Sequence, residues 1–297
     1  MKLISAAARI PLTCGEFVQG TYSGTPALIS CPIDAFHSVK ITIRSEAGWI
    51  FPSDAQKVNS AYEIISRKLP SNFPGAKVEI HSPFPRERGY GTSTADITAF
   101  LYAYAKISNR PITHDQAAEI ALSIEPTDSS LYPDLTLFAY RSGKFKYHLD
   151  PVPPFEILIA DPGGGINTVE YNARDHSNKL KMLTEKHHSL FQLFQTGLAR
   201  QDWELIGAAC TDSAVIHQEI LPNPYLDQCL QIAENCGALG VCRAHSGTII
   251  GLLFRDNFGD LDQAKSLLKK HLPHHFTYRQ HRCISGGPRY DIYKENL

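Results

Sequence analysis

Apolar and polar residues alternate over residues 2–44, most regularly at Val39, Ile41 and Ile43, and Ser23-Gly24 interrupts the run. Successive strand side chains face opposite sides, so this pattern predicts two extended pieces joined by a turn. Past Ser53 and Asp54 the spacing becomes helical, with Val58, Ala61, Tyr62 and Ile65 on one side and an end near Pro70. Val78 and Ile80 read as another strand, running into Pro83-Phe84-Pro85. Over residues 93–107 a helix is predicted that is apolar nearly all round, through Ala95, Ile97, Phe100, Leu101, Ala103, Tyr104 and Ile107, and such a helix should be buried. Thr113 and Gln116 form a capping box for the next helix, whose stripe is Ala117, Ile120, Ala121 and Ile124. Pro126 disfavours a helical Glu125, so this helix should end there.

Residues 135–149 read as a hairpin turning at Ser142-Gly143, and Asp150-Pro151-Val152-Pro153-Pro154 is the best linker. It divides the chain into expected domains of residues 1–150 and 151–297. The second half reads as a strand (155–160), a triple-glycine turn at Gly163, helices over 178–200, from Asp202, and from Pro224 to Gly237. A strand (239–244), the turn His245-Ser246-Gly247, a strand (248–254), a helix (261–271) and two strand-like pieces about Gly286-Gly287 follow. This order predicts an α+β protein with helices on one face of a mostly antiparallel sheet.

At 297 residues, 43% hydrophobic and 20% charged, the composition is that of a globular protein of one or two domains. A net charge of −1 provides no global field toward nucleic acid or an anionic membrane, so small molecules are the expected partners. The seven cysteines are scattered without a Cys-x-x-Cys pair, against a zinc site or a disulfide framework. Residues 3–8 are too short for a signal-peptide core, and no segment approaches ~18 uninterrupted apolar residues. A cytoplasmic protein is expected; the oligomeric state is not readable.

The chemistry concentrates in residues 85–96. There Gly89, Gly91, Thr92, Ser93, Thr94 and Asp96 stand at the mouth of the buried helix. Glycines let a backbone approach a ligand, and the free N–H groups and positive end of a helix dipole favour an anion. Hydroxyls there can hold a magnesium ion beside phosphates. No Gly-Lys-Ser/Thr follows, so this is not a Walker A loop, and Thr94 replaces the third glycine of a dinucleotide fingerprint.

The pattern Pro-x-x-x-Gly-x-Gly-x-Ser-x-Ala from Pro85 to Ala95 resembles the ATP-binding motif of the galactokinase, homoserine kinase, mevalonate kinase and phosphomevalonate kinase (GHMP) superfamily. Pro11-Leu12-Thr13-Cys14-Gly15-Glu16 with Gln19-Gly20 resembles its first motif, and Ala244-His245-Ser246-Gly247 to Gly251 its third. With Ser30-Cys31-Pro32-Ile33-Asp34 and Ser123 to Ser129, these blocks are similar to the L-threonine kinase branch. The resemblance implies a two-domain fold, an N-terminal α/β domain with an antiparallel sheet and a C-terminal ferredoxin-like α+β domain. It implies ATP and Mg2+, and phosphorylation of L-threonine on its hydroxyl for cobalamin side-chain synthesis, sometimes alongside propanediol utilisation. Residues Pro85, Arg86, Glu87, Arg88, Gly89, Tyr90, Gly91, Thr92, Ser93 and Thr94 would cradle the triphosphate. Ser93 and Glu125 would hold the metal, and Asp128 would deprotonate or orient the hydroxyl. Glu16, Gln19 and Asp34 would lie near the substrate, with the carboxylates on its ammonium group, and His245, Ser246 and Gly247 would floor the site.

Two departures from that pattern matter. Thr13 stands where many members carry lysine, and Tyr90, in place of leucine, is expected to stack on or crowd the nucleotide. Other acceptors remain open: homoserine, L-serine or an amino alcohol, as does a non-catalytic metabolite-binding member. The histidines and cations of residues 269–282 read as a solvated helix end, and Gly163-Gly164-Gly165 as a flexible turn over the site.

Overall fold

In the computed structural model, which describes residues 5–165, 177–255 and 259–291, the opening alternation becomes two long antiparallel strands. These are β1 (Ser5–Tyr22) and β2 (Thr25–Arg44), joined at Ser23-Gly24 where both residues have positive φ. Their register slips three times between Pro11 and Val18. Bulges bend a strand and re-aim its side chains, and the first motif lies in this bulged stretch.

Among the described residues eleven strands form one sheet. Next to β2 come β4 (Gly75–His81) and the parallel edge strand β3 (Gly48–Ile50), while a hairpin of β5 (Leu135–Phe138) and β6 (Lys146–Leu149) pairs with β2 at Leu28 and Ile29. On the other side β8 (Gly240–Arg243) joins β1 through one register pair, Glu16 with Arg243. The sheet continues antiparallel through β9 (Ile250–Arg255), β7 (Phe155–Asp161) and β10 (Thr277–Arg282), and β11 (Arg289–Asp291) pairs with β1. It therefore runs unbroken from one half of the chain into the other.

Helices α1 (Gln56–Lys68), α2 (Thr92–Ile107) and α3 (His114–Ile124) pack together, with α2 on β1 and β2. The all-round apolar surface of α2 is buried as its sequence requires, and Thr113 and Gln116 close the capping box of α3. Past α4 (Ser177–Met182), helices α5 (Thr184–Arg200) and α6 (Trp203–Ile216) lie on each other and on β1. Helix α7 (Leu226–Asn235) lies against β8 and β9, and α8 (Leu261–His271) against β7.

The C-terminal half differs from the expected single helical layer. Ile157 and Ile159 of β7 belong to the main core with Phe191 and Phe194 of α5, whereas Leu158 and Ala160 belong to a second core with Leu226 and Leu268. Alternate strand residues face opposite ways, so both faces of β7 are covered, which its continuous apolar run allows.

Candidate functional site

The three motifs meet at the start of α2. Backbone hydrogen bonds hold the loop from both sides. The N–H groups of Thr13 and Gly15 donate to the carbonyls of Tyr90 (2.9 Å) and Gly89 (3.1 Å), and that of Thr248 to the carbonyl of Arg88 (2.9 Å). Gly89 has a φ of +100°, and a Cβ there would lie 2.0 Å from the Ala244 methyl. Gly91, the N-cap, has a φ of 68° and makes no side-chain capping hydrogen bond, so no N-cap side chain takes up the first N–H groups of α2. The first N–H groups and the dipole of α2 thus face an open end suited to an anion.

This end opens into a cleft of about 250 Å³. On its wall Ser93 donates to Glu125 Oε1, and the Lys57 ammonium donates both to Ser93 Oγ and to Glu125 Oε2, the latter at 2.6 Å. The Asp128 N–H donates to Thr94 Oγ1 at 3.0 Å. Its carboxylate lies so near Gly91 that a Cβ there would be 2.8 Å from Oδ2. Desolvation, then the charges of Glu16 and Glu125, push Asp128 up to about 8.

Glu16 is buried and lines the same cleft. Burial raises its affinity for a proton to a similar level, against the N–H of His245, which donates to Oε2 at 2.9 Å. His245 Nδ1 is 2.9 Å from that oxygen and 3.1 Å from the Arg243 carbonyl, two acceptors that assign the ring proton to Nδ1. Desolvation, then the Arg243 charge, holds His245 well below the usual histidine range, so the ring is neutral. Its Nε2 meets Ser213 Oγ at 3.2 Å, and Ser213 Oγ accepts the Gln19 N–H at 3.2 Å. Two carboxylates with raised proton affinity thus face one cleft and hold fewer negative charges than their number at neutral pH.

Arg86, Glu87, Gly89, Gly91, Thr92, Ser93, Thr94, Glu125, Asp128, Glu16, Gln19 and Ser246 line the cleft. Pro85, Arg88, Tyr90, Asp34, His245 and Gly247 do not. Tyr90 is turned inward, its ring 4.3 Å from that of Phe84 and its hydroxyl donating to Asp161 at 3.0 Å, so it neither stacks on nor crowds a ligand in the cleft. Arg88 also turns to Asp161, at 3.0 Å, and Gly247 packs against the Arg88 carbonyl. Asp34 is exposed on β2 and is held by the His281 ring (2.8 Å) and the Arg282 N–H (3.1 Å). His245 is buried behind Glu16 and reaches the cleft only through it. Sequence reasoning missed Leu28 and Tyr140 on the cleft wall and, of more consequence for its charge, Lys57. As the second residue of an amphipathic helix it looks like any surface lysine, and its partners lie 36 and 68 positions away.

The description "GHMP kinases N terminal domain" matches residues 56–140, and "GHMP kinases C terminal" matches residues 194–274. The chain is 29% identical to the L-threonine kinase of Salmonella typhimurium over 95% of its length and 94% of that protein. It is 29% identical to the L-threonine kinase of Citrobacter freundii over 95% of its length and 98% of that protein. In fold it is similar to the crystal structure of a homoserine kinase from Cytophaga hutchinsonii, with a TM-score of 0.73 at 16% identity over 98% of both chains. With its three motifs gathered on one helix end and both family halves in order, the chain belongs to the GHMP kinases, as a phosphotransferase that uses ATP to phosphorylate a hydroxyl of a small substrate.

Proposed function

We propose that the acceptor is L-threonine, that Mg2+ accompanies ATP, and that the product, O-phospho-L-threonine, feeds cobalamin side-chain synthesis in the cytoplasm. The observation that carries the acceptor is the pair of carboxylates, Glu16 and Asp128, in the cleft that also opens on the N-terminal end of α2. An amino acid brings an ammonium group, whose charge would favour the ionised form of two carboxylates that burial, joined at Asp128 by the charges of Glu16 and Glu125, now pushes toward the protonated form. Full-length similarity to two L-threonine kinases supports the same reading.

The loop and the first turn of α2 would bind the triphosphate through N–H groups and the helix dipole. Ser93 Oγ and Glu125 already converge on a cation, the Lys57 ammonium, so this hydroxyl and carboxylate fit the oxygen donors a magnesium ion takes. The metal would supply charge neutralisation on the phosphates. Asp128 would accept the proton of the acceptor hydroxyl or orient it, as the oxygen forms its bond to the γ-phosphorus and ADP leaves. Glu16, positioned by His245, would hold the ammonium group, and Leu28 on the cleft wall would face the acceptor methyl. The linker at Asp150-Pro151 remains our boundary between residues 1–150 and 151–297.

ADP release measured with Mg2+ and ATP across L-threonine, L-serine, L-homoserine, ethanolamine and 1-amino-2-propanol tests this. L-threonine should be preferred, over L-serine by the ~1–3 kcal/mol that one methyl group allows. Preference for homoserine would discard L-threonine and the cobalamin role, and no acceptor-dependent ADP at all would leave a non-catalytic binding protein.

A further inference from the structure

Ser93 and Glu125 cannot hold a metal ion and the Lys57 ammonium at once. Lys57 Nζ donates to Ser93 Oγ and stands 2.6 Å from Glu125 Oε2, with its side chain 35% exposed in the cleft wall and that of Glu125 16% exposed. The other cations of the loop are engaged elsewhere. Arg86 bonds Asp54 at 2.6 Å and Asp96 at 3.0 Å, and Arg88 bonds Asp161. Lys57 is therefore the ammonium standing at the hydroxyl end of the loop among the described residues. Its four-carbon stem springs from the second residue of α1, so the charge can swing without moving the helix.

We propose that Lys57 is a displaceable counter-ion that couples metal and nucleotide binding. In the free enzyme its ammonium neutralises Glu125 and occupies the metal position. A divalent cation arriving alone must evict it and leave it without a partner, so it binds weakly. A cation arriving with a nucleotide evicts it onto the phosphates, where the released charge gains a new anion. Each ligand then tightens the other, and by linkage the coupling is reciprocal. Lys57 acts as a positioning residue for the phosphates. The inference rests on the reading of the cleft as a metal–nucleotide site.

Mn2+ serves as the metal probe, with a non-hydrolysable ATP analogue as the nucleotide, and calorimetry gives each dissociation constant with and without the other ligand. A hydrogen bond to a charged group is worth about tenfold in an equilibrium. Lys57→Met should therefore tighten Mn2+ binding in the absence of nucleotide by about tenfold. It should weaken analogue binding by a similar factor and shrink the coupling between the two. Lys57→Arg should keep the coupling, and melting curves establish that both variants are folded. A lysine that only packs would move none of these constants. Unchanged or weaker Mn2+ binding to Lys57→Met, in a wild type that binds the analogue, overturns the role of Lys57 alone. A wild type that binds no analogue overturns the metal–nucleotide reading and the coupling with it.

Discussion

Replacing Gly89 with alanine tests whether the loop owes its shape to the turn packed behind it. Two separate costs can be worked out. Alanine in left-handed backbone costs about 1–2 kcal/mol, and Gly89 sits at φ +100°. The new methyl would also lie 2.0 Å from the Ala244 methyl, and overfilling a packed interior costs about 1–3 kcal/mol. Gly89→Ala should therefore destabilise the protein by about 2–5 kcal/mol. The two costs separate when Ala244 is shortened, because the next neighbours, Ala244 Cα at 3.4 Å and Gly247 Cα at 3.5 Å, are ordinary contacts. Ala244→Gly alone should cost about 1 kcal/mol for the lost methyl. In the double variant the overlap vanishes and only the backbone cost and the lost methyl remain. Urea unfolding of the four proteins in a double-mutant cycle should then give a coupling of at least about 1 kcal/mol. Calorimetry should show ATP affinity lost in Gly89→Ala and partly restored in the double variant. Additive effects, with Gly89→Ala within about 0.5 kcal/mol of wild type, would refute the idea that the third motif buttresses the loop.

Asp128→Asn should abolish turnover while ATP binding stays close to wild type; full activity in the ADP-release assay would remove Asp128 from the chemistry. Asp161→Asn withdraws the carboxylate that the Arg88 guanidinium and the Tyr90 hydroxyl share at zero exposure. Breaking such a buried pair costs about 3–5 kcal/mol, and a chemical-denaturation loss under about 1 kcal/mol would contradict that account. Stability should also depend on pH through the carboxylate pair. Glu16 and Asp128 hold protons more tightly folded than unfolded, so their contribution is complete below the unfolded value of about 4 and is lost as pH rises through about 8. His187, His217 and His245 are shifted down by burial and act in the opposite sense only below the ordinary histidine value of about 6.5. Between about pH 7 and 8 the nucleotide-free enzyme should therefore lose stability, by up to about 1.4 kcal/mol per pH unit for each proton. Glu16→Gln should flatten that slope, and an identical slope in the variant would show that the pair does not control it.

The local signals were legible in the sequence because local residues carry them. The uniform apolar surface of α2 required burial, Thr113 and Gln116 sufficed to cap α3, and the order of three glycine-bearing motifs pointed to the family. Direction within those motifs was not legible. Tyr90 and Arg88 lie inside the loop motif yet turn to Asp161, a residue of β7 more than seventy positions away, because a buried carboxylate draws in the donors that can reach it. Asp34 looked as eligible as Glu16, but a strand places it on the exposed side against His281, while the bulges in β1 turn Glu16 into the cleft.

Sequence by itself determined the elements, the family and the helix end where an anion can bind, since periodicity, caps and glycines act over a few residues. Tertiary structure alone decided which charges meet. It brought Lys57 to Ser93 and Glu125, set Glu16 and Asp128 in one cleft, and covered both faces of β7. Those contacts depend on strand pairing and helix packing across the chain, and a charge or apolar residue does not encode at its own position what will stand opposite it.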